Sequence, residues 1–310
     1  MKKFIINISI LALITSLLIG GYCAVANFAS TKYYGLNTSG QIHMSFKNAL
    51  ADDYSCYFLG NSRIYRDINP DKFVGVKSYN FGHDNDSYNQ MYYKLMYLLE
   101  NDKHINTLII GTDYFGFSFL SDSRNYIYGD LFPHEYMDDF ENAGNRIDQF
   151  GNKVSILWKN KQNALPAVED YVRRNQPPEN LNYQKENGQY IAYGQATGDE
   201  TVDRKYNILD VLYSYYDRII DVCEEEDIDL WILMPPLWEA ETRGHTDEER
   251  REFDEMIENS LDGTPFEDHY INYTTLEGLA SYEDFIDVTH LSAKAADRYS
   301  EYINEKIFGK

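Results

Sequence analysis

The sequence predicts an α/β fold built on a parallel sheet and preceded by one apolar helix. Short apolar segments that end in glycine or proline alternate with longer segments whose apolar residues recur at helical spacing. The links between these segments are short, which is typical of strand–helix–strand units in a parallel sheet. The 310 residues, 43% of them hydrophobic, are sufficient for one sizeable core.

Each element has its own local signal. The first strand is apolar and aromatic and ends at Gly60. Ser87 and Ser292 precede helical patterns as N-caps, because a serine hydroxyl can accept an unpaired N–H of the first turn. The predicted strands are 54–59, 76–81, 107–110, 228–234 and a fifth at 269–273, and the predicted helices are 87–100, 206–226, 246–260 and 293–307.

Residues 117–205 interrupt the α/β rhythm. They are polar, rich in turn residues and without clear periodicity. Asn187-Gly188 between two aromatic segments predicts a β-hairpin within them. We interpret this region as an insertion that forms a cap or substrate-facing subdomain. The alternative is a flexible surface loop, which the same pattern would fit.

The N-terminus predicts membrane attachment. Lys2 and Lys3 precede an apolar run over residues 4–28, and about 20 such residues cross a bilayer core. The two lysines predict a cytoplasmic N-terminus. Residues 1–30 would then anchor an extracytoplasmic domain over 31–310, in a single-pass protein of the cell membrane. Ala24-Val25-Ala26 has the form of a signal-peptidase site, so a cleaved signal and a secreted protein are the alternative.

Composition excludes several classes of partner. The formal net charge of −22 repels phosphate backbones and argues against nucleic acid and against peripheral adhesion to anionic lipid. An anionic substrate would need a local basic pocket. The three cysteines, one of them in the apolar run, form neither a disulfide framework nor a zinc site, and no metal is predicted.

Two motifs carry residues suited to nucleophilic catalysis. Ser62 follows the first strand and Gly60, where the carboxyl ends of parallel strands form a ligand crevice. Asp287 lies three residues before His290, a spacing at which a carboxylate can hold the imidazole Nδ1–H and leave Nε2 to accept a serine proton. Each motif alone fits an ordinary turn, but the combination predicts a triad.

Four segments together resemble a known family: 58–63 with 69–70, 79–82, 108–115 and 287–291. The chain resembles the SGNH/GDSL hydrolase superfamily. More closely, it resembles the membrane-anchored branch that includes the teichoic-acid D-alanylation protein DltD and alginate-acetylation proteins. The resemblance covers residues 54–116 and 206–308 and implies a flavodoxin-like, three-layer α/β fold of the SGNH-hydrolase type.

The resemblance also implies roles for individual residues. Ser62 would be the nucleophile, His290 the general base and Asp287 the residue that orients the imidazole. The backbone amides of Ser62 and Gly82 would donate to an oxyanion. No cofactor is implied, and a membrane-bound O-acyltransferase is the implied partner.

The third motif departs from the family pattern, which usually offers an asparagine side chain to the oxyanion. Asp113 stands at the nearest position, and an ionised carboxylate cannot donate a hydrogen bond. Asp113 therefore points elsewhere, or another donor such as Asn80 replaces it, or activity is weak or lost. Arg63, beside the nucleophile, is the candidate for binding an anionic group of the substrate, with a structural ion pair as its alternative.

These observations predict serine-dependent acyl transfer or ester hydrolysis on a cell-envelope glycopolymer or its precursor, as an esterase or an O-acyltransferase. The alternative is a non-catalytic subunit that binds the polymer or serves as a scaffold in a membrane acylation complex. Asp113 is the residue that favours this alternative.

Overall fold

The structure, a computed structural model, describes residues 2–35, 38–120, 125–128, 131, 161–196, 207–238, 244–274, 279 and 281–309. In chain order, its helices are α1 Lys2–Tyr34, α2 Thr38–Ala49, α3 Ser62–Asp67, α4 Tyr88–Glu100, α5 Tyr114–Ser118, α6 Asn125–Tyr128, α7 Lys161–Arg173, α8 Asp210–Glu225, α9 Asp247–Leu261 and α10 Ala293–Phe308. The strands are β1 Cys56–Leu59, β2 Ser78–Asn80, β3 Thr107–Gly111, β4 Tyr183–Gln184, β5 Tyr190–Ile191, β6 Asp229–Met234 and β7 Tyr270–Asn272.

Five of the strands form one parallel sheet, in the order β2-β1-β3-β6-β7. This confirms the predicted α/β fold, including the fifth strand near residue 270. The chain moves from β1 to β2 on one side and then crosses to β3 on the other. The order therefore reverses beside β1, and doubly wound sheets bind ligands at the carboxyl ends of the strands at such a point.

Helices cover both faces of the sheet, so the fold has three layers. Side chains alternate along β1: Tyr57 and Leu59 join the apolar cluster under α4, α8 and α9, whereas Cys56 and Phe58 join the cluster under α3 and α10. This alternation follows from the two-residue period of a strand. The central strands β1 and β3 are buried on both sides along their whole length, which explains why they are almost entirely apolar.

Three of the predicted helix starts are confirmed by their caps, whereas the helix predicted from residue 206 begins at Asp210. Ser87 and Thr246 each form a capping box with the residue three positions on, and the Ser292 hydroxyl accepts the N–H of Ala295. These caps depend only on residues within one turn. That locality is why the sequence alone indicates them.

The predicted hairpin is present as the antiparallel pair β4–β5. Its turn lies against the sheet edge, because the backbone N–H of Asn80 donates to the Asn187 carbonyl at 2.9 Å. Gly188 has a φ of +93°, and a Cβ there would lie 1.9 Å from the Asn80 carbonyl oxygen. A residue with a side chain would therefore strain the turn and push the hairpin off the edge.

The chain divides into two compact units, Met1–Gln41 with Asn145–Asn182 and Ile42–Gly144 with Tyr183–Lys310. In the first unit α7 packs on the C-terminal part of α1: the rings of Phe28 and Tyr171 lie 5.6 Å apart, edge to face, and the Tyr33 hydroxyl donates to the Asn175 carbonyl. Part of the predicted insertion thus groups with the N-terminal helix. Most of the rest of 117–205 lies outside the described residues.

Helix α1 is long and apolar enough to cross a membrane once. Its 33 residues correspond to about 50 Å of helix. Its large apolar side chains between Phe4 and Ile19 are half or more exposed. A bilayer would cover such a surface, whereas water would not favour it.

Candidate active site

Ser62 is the first residue of α3, directly after the carboxyl end of β1. Asn61 caps the helix by accepting the Arg63 N–H at 3.0 Å. The Ser62 backbone N–H lies in the first helical turn, where no earlier carbonyl of the helix can receive it. It therefore remains available as a donor beside the Ser62 hydroxyl.

Two glycines allow α3 to lie this close to the sheet. A Cβ on Gly60 would come within 2.4 Å of the Ile64 Cγ1, and a Cβ on Gly111 within 2.3 Å of the same atom. These distances are well inside van der Waals contact. Ile64 therefore packs directly onto the backbone of β1 and β3, and this contact fixes the height of Ser62 above the sheet.

His290 lies on a short loop that closes on itself before α10. The Ile286 N–H donates to the His290 carbonyl at 2.9 Å, and Phe285 and Leu291 form an antiparallel bridge. Asp287 is inside this loop. Its Oδ1 accepts the backbone N–H groups of Thr289 at 2.9 Å and His290 at 3.0 Å, which holds the carboxylate against the imidazole.

The structure brings the three residues of the predicted triad together. The Ser62 Oγ lies 2.6 Å from the His290 Nε2, and the His290 Nδ1 lies 2.8 and 2.9 Å from the two Asp287 oxygens. With the proton on Nδ1, directed at Asp287, Nε2 accepts from the serine hydroxyl. This arrangement can remove a proton from Ser62 as its oxygen attacks a carbonyl carbon.

The electrostatics favour a neutral imidazole and an ionised carboxylate. Burial lowers the pKa of His290 below its ordinary value; the hydrogen bond to Asp287 opposes this, and the nearby Arg66 adds to it. Burial would raise the pKa of Asp287, but hydrogen bonds from His290 and Thr289 more than offset burial and hold that pKa below its ordinary value. His290 is therefore ready to act as a base at neutral pH.

The predicted oxyanion donors other than Ser62 have partners already. The Asn80 Nδ2 donates to the carbonyls of Ile64 at 2.7 Å and Ile68 at 2.9 Å, so both of its hydrogens bind the end of α3. The Asn80 Oδ1 accepts the Gly82 N–H at 3.0 Å. In this arrangement the Asn80 side chain stabilises α3, and its N–H groups are not available to an oxyanion. The Gly82 amide would have to leave Asn80, or be shared with it, to donate to substrate.

The Asp113 carboxylate is engaged by hydrogen-bond donors of the protein itself. It caps α5 by accepting the Gly116 N–H at 2.5 Å, and it accepts the Asn61 Nδ2 at 2.6 Å. Only 2% of the residue is exposed. Asp113 therefore stabilises the start of α3 by holding the side chain of Asn61, which caps that helix.

Arg63 is buried against Asp113, and its predicted role in binding an anionic group of the substrate stays a prediction. It is 3% exposed, and its guanidinium lies 3.5 Å from the Asp113 carboxylate. This contact fits the alternative role of Arg63, a structural ion pair. Consecutive residues of a helix point about 100° apart, so a side chain adjacent in sequence to Ser62 leaves the face on which Ser62 lies.

Arg66 is the arginine that faces the triad, and the sequence analysis missed it. Its Nη1 lies 3.4 Å from the His290 Nδ1, and its Nη2 and Nε bind the Asp84 carboxylate at 2.8 and 3.2 Å. Its guanidinium also lies 5.6 Å above the Tyr190 ring. The available signal was its spacing, since residues four apart share one face of a helix.

An aromatic stack stands beside this arginine. The Tyr65 ring lies between those of His83 and Tyr190, with centroids 5.0 Å apart on each side and nearly parallel planes. Tyr190 belongs to the hairpin, so this stack ties β5 to α3. The hairpin predicted within the insertion thus contacts α3 beside Arg66.

Among the described residues, no group of three His, Cys, Asp or Glu side chains is placed to hold a metal ion. The chain matches no family model, and no curated protein is similar to it at a significant level. The geometry of the site and the resemblance of its motifs are therefore the grounds for a functional proposal.

Proposed function

We propose that this chain is a serine-dependent acyl-transfer enzyme of the SGNH type, anchored in the membrane by α1. The observation that carries the proposal is the 2.6 Å contact between the Ser62 Oγ and the His290 Nε2, with Asp287 on the opposite ring nitrogen. A serine is a weak nucleophile by itself. An adjacent neutral histidine, oriented by a third group, is the arrangement that activates it.

The proposed reaction has two steps. His290 removes the Ser62 proton while Oγ attacks the ester carbonyl, and the tetrahedral intermediate places its negative oxygen near the Ser62 N–H. Collapse breaks the bond to the leaving alkoxide, which takes the proton from His290 and leaves an acyl-serine. Water or a polymer hydroxyl then attacks the acyl-serine and gives its proton to His290, and the bond to the Ser62 Oγ breaks as Oγ takes that proton back from His290. The first acceptor makes an esterase and the second an O-acyltransferase.

The proposed substrate is a cell-envelope glycopolymer or its precursor, with a membrane-bound O-acyltransferase as the partner. The support for this part is the resemblance of the motifs to the anchored SGNH branch, together with a membrane-spanning helix on the same chain. Arg66 is a further candidate for the role assigned to Arg63. It is the cation beside the nucleophile, in a chain of net charge −22, and it would bind an anionic group of the substrate.

The non-catalytic alternative has its own supporting observation. Asn80 binds the Gly82 amide, and Asp113 is committed to α5 and Asn61. Of these predicted donors, which all lie in the described part of the chain, the Ser62 N–H is then the one that is free without rearrangement. Loss of a single such donor slows catalysis by about 10²–10³ in well-studied serine enzymes, so an incomplete oxyanion site fits a scaffold with weak residual reactivity.

The deciding experiment is covalent labelling of the full chain in detergent with a fluorophosphonate probe. We expect wild type to be labelled, and Ser62→Ala and His290→Ala to lose the label. His104→Ala removes an exposed histidine and should label like wild type. If folded wild type is not labelled, alone or with a membrane fraction containing the acyltransferase, the enzyme proposal fails and the scaffold is favoured.

A further inference from the structure

One buried carboxyl group near the triad has no part in the mechanism above. Asp67 is the last residue of α3, the helix that begins with Ser62, and it is 0% exposed. Its Oδ1 accepts the backbone N–H of Leu291 at 2.9 Å. Leu291 directly follows His290 and is itself buried. A single six-residue helix thus holds the nucleophile at one end and the loop of the general base at the other.

The loop transmits this contact to the imidazole. It is closed by the Ile286–His290 hydrogen bond and the Phe285–Leu291 bridge, so it moves as a unit with Leu291. Beyond the contacts of Ser62 and Arg66 with the His290 ring, the Asp67–Leu291 bond is a direct polar link between α3 and the backbone of this loop. Without it, the buried Leu291 N–H would lose its acceptor.

The surroundings of Asp67 favour the neutral form of its carboxyl group. Burial raises the pKa of Asp67 well above its ordinary value, opposed by the Leu291 N–H and Arg63. The groups that act on it electrostatically are Arg63, Arg66, Asp287 and Tyr299. Among the described residues its Oδ2 has no hydrogen-bond partner, and burial in that state costs an ionised carboxylate more than a neutral carboxyl group.

We propose that Asp67 is a positioning residue that sets the distance between His290 and Ser62, and that it acts as a hydrogen-bond acceptor and not as a charge. Its significance for catalysis rests on the proposed function; its effect on the imidazole does not. An asparagine retains a carbonyl oxygen for the Leu291 N–H. A leucine fills the volume without an acceptor.

The test compares Asp67→Asn, Asp67→Leu and a matched control in the full chain. The control is Ser300→Ala, which removes another buried acceptor near α3: the Ser300 Oγ accepts the Asn69 N–H at 2.8 Å. That bond joins α10 to the chain just after α3 and does not touch the His290 loop. All three variants lose some stability, so effects on stability alone do not separate them.

The first readout is the rate of fluorophosphonate labelling, corrected for the folded fraction. We expect Asp67→Asn and Ser300→Ala to stay within about threefold of wild type and Asp67→Leu to fall by about 10- to 100-fold, because small misplacements of a catalytic group have effects of that size. Equal losses in Asp67→Asn and Asp67→Leu would overturn the acceptor role. An equal loss in Ser300→Ala would reduce Asp67 to a general structural contact.

The second readout does not require activity. The pKa of the His290 imidazole, followed by ¹⁵N NMR, should be unchanged in Asp67→Asn and Ser300→Ala. In Asp67→Leu it should rise toward about 6.5, the value of a solvated histidine, because a displaced loop exposes the ring. If wild type is never labelled, the enzyme proposal fails and this measurement still decides on Asp67: an unchanged pKa in Asp67→Leu would overturn the inference.

Discussion

At the scale of single residues, the protonation state of His290 decides when Ser62 can react. Only the neutral imidazole accepts the serine proton, and burial lowers the pKa of His290 below its ordinary value of about 6.5. At pH below that lowered pKa the ring carries a proton and cannot act. The labelling rate should therefore rise with pH, pass a midpoint below about 6.5 and stay level through neutral pH.

The measurement is the pH profile of the fluorophosphonate labelling rate over the range in which the protein stays folded. The exposed-histidine variant His104→Ala should give the same midpoint as wild type. A midpoint at or above that of a solvated histidine would mean that the pair with Asp287 outweighs burial at this ring.

Arg66 gives a prediction about selectivity. If its guanidinium binds an anionic group of the substrate, Arg66→Gln should slow hydrolysis of an ester with a negatively charged acyl group, such as a hemisuccinate. The acetate ester of the same alcohol should react nearly as before. We expect the ratio of the two rates to fall by about 10-fold, the value of one charge-assisted hydrogen bond.

The control for this comparison is Arg298→Gln, which removes another arginine paired with an aspartate, Asp284, in the same unit. It should leave the ratio unchanged. Equal slowing of both esters by Arg66→Gln would instead show that Arg66 supports the histidine loop or Asp84 and does not select substrate.

The pair of arginines also shows what the sequence could and could not predict about the site. The positions of Ser62, Asp287 and His290 relative to strand ends are local features, and the motifs indicate them. The face that α3 turns to the sheet is not a local feature, since it is set by the packing of Ile64 on Gly60 and Gly111. Once Ser62 is known to be the first helical residue, Arg66 falls on its face and Arg63 turns toward Asp113.

At the scale of elements, the packing of α3 on the sheet gives a sharp prediction about two glycines. Gly111→Ala places a Cβ 2.3 Å from the Ile64 Cγ1 and 2.9 Å from its Cδ1, but 3.7 Å from its Cβ. Gly60→Ala places a Cβ 2.4 Å from Cγ1 and 2.7 Å from Cβ. Each overlap should destabilise the fold by about 1–3 kcal/mol and displace Ser62.

Ile64→Ala separates the two cases. It removes the Cγ1 and Cδ1 atoms, which relieves the overlap at Gly111 fully but the overlap at Gly60 only in part, because the 2.7 Å contact with the Ile64 Cβ remains. The measurement is the free energy of unfolding in urea. The double variant Ile64→Ala/Gly111→Ala should lose less of this free energy than the two single variants lose together, by about 1 kcal/mol or more. Ile64→Ala with Gly60→Ala should recover less, because the Ile64 Cβ still overlaps the new methyl group. Additive behaviour of both pairs would show that α3 can shift freely on the sheet.

The helices and strands were largely predictable, because the interactions that define them join residues close together in the sequence. Strands buried on both faces are continuously apolar, and serine or threonine caps act within one turn, so 107–111 and the helix after Thr246 are apparent from a few residues. The grouping of α7 with α1 depends on contacts such as Phe28 with Tyr171, far apart in sequence. No local pattern indicates such a contact.

At the scale of the whole molecule, the apolar helix and the lysines before it lead to a prediction about topology. Lys2 and Lys3 should stay in the cytoplasm, and the α/β domain should lie on the outer side of the membrane. The native cysteines help to test this. Cys56 and Cys223 are buried, so replacing Cys23 by serine leaves a chain that an impermeant maleimide should not label.

Two single-cysteine variants of that Cys23→Ser chain then report on the two sides of the membrane. Asn101→Cys, at an exposed position after α4, should react with the maleimide on intact cells. Lys3→Cys should react only after the membrane is permeabilised. The reverse pattern would place the α/β domain in the cytoplasm, where a role on envelope polymers is excluded. A mature protein labelled at position 101 and lacking residue 3 altogether would show cleavage near Ala26, and acyl transfer would then have to proceed without a membrane anchor.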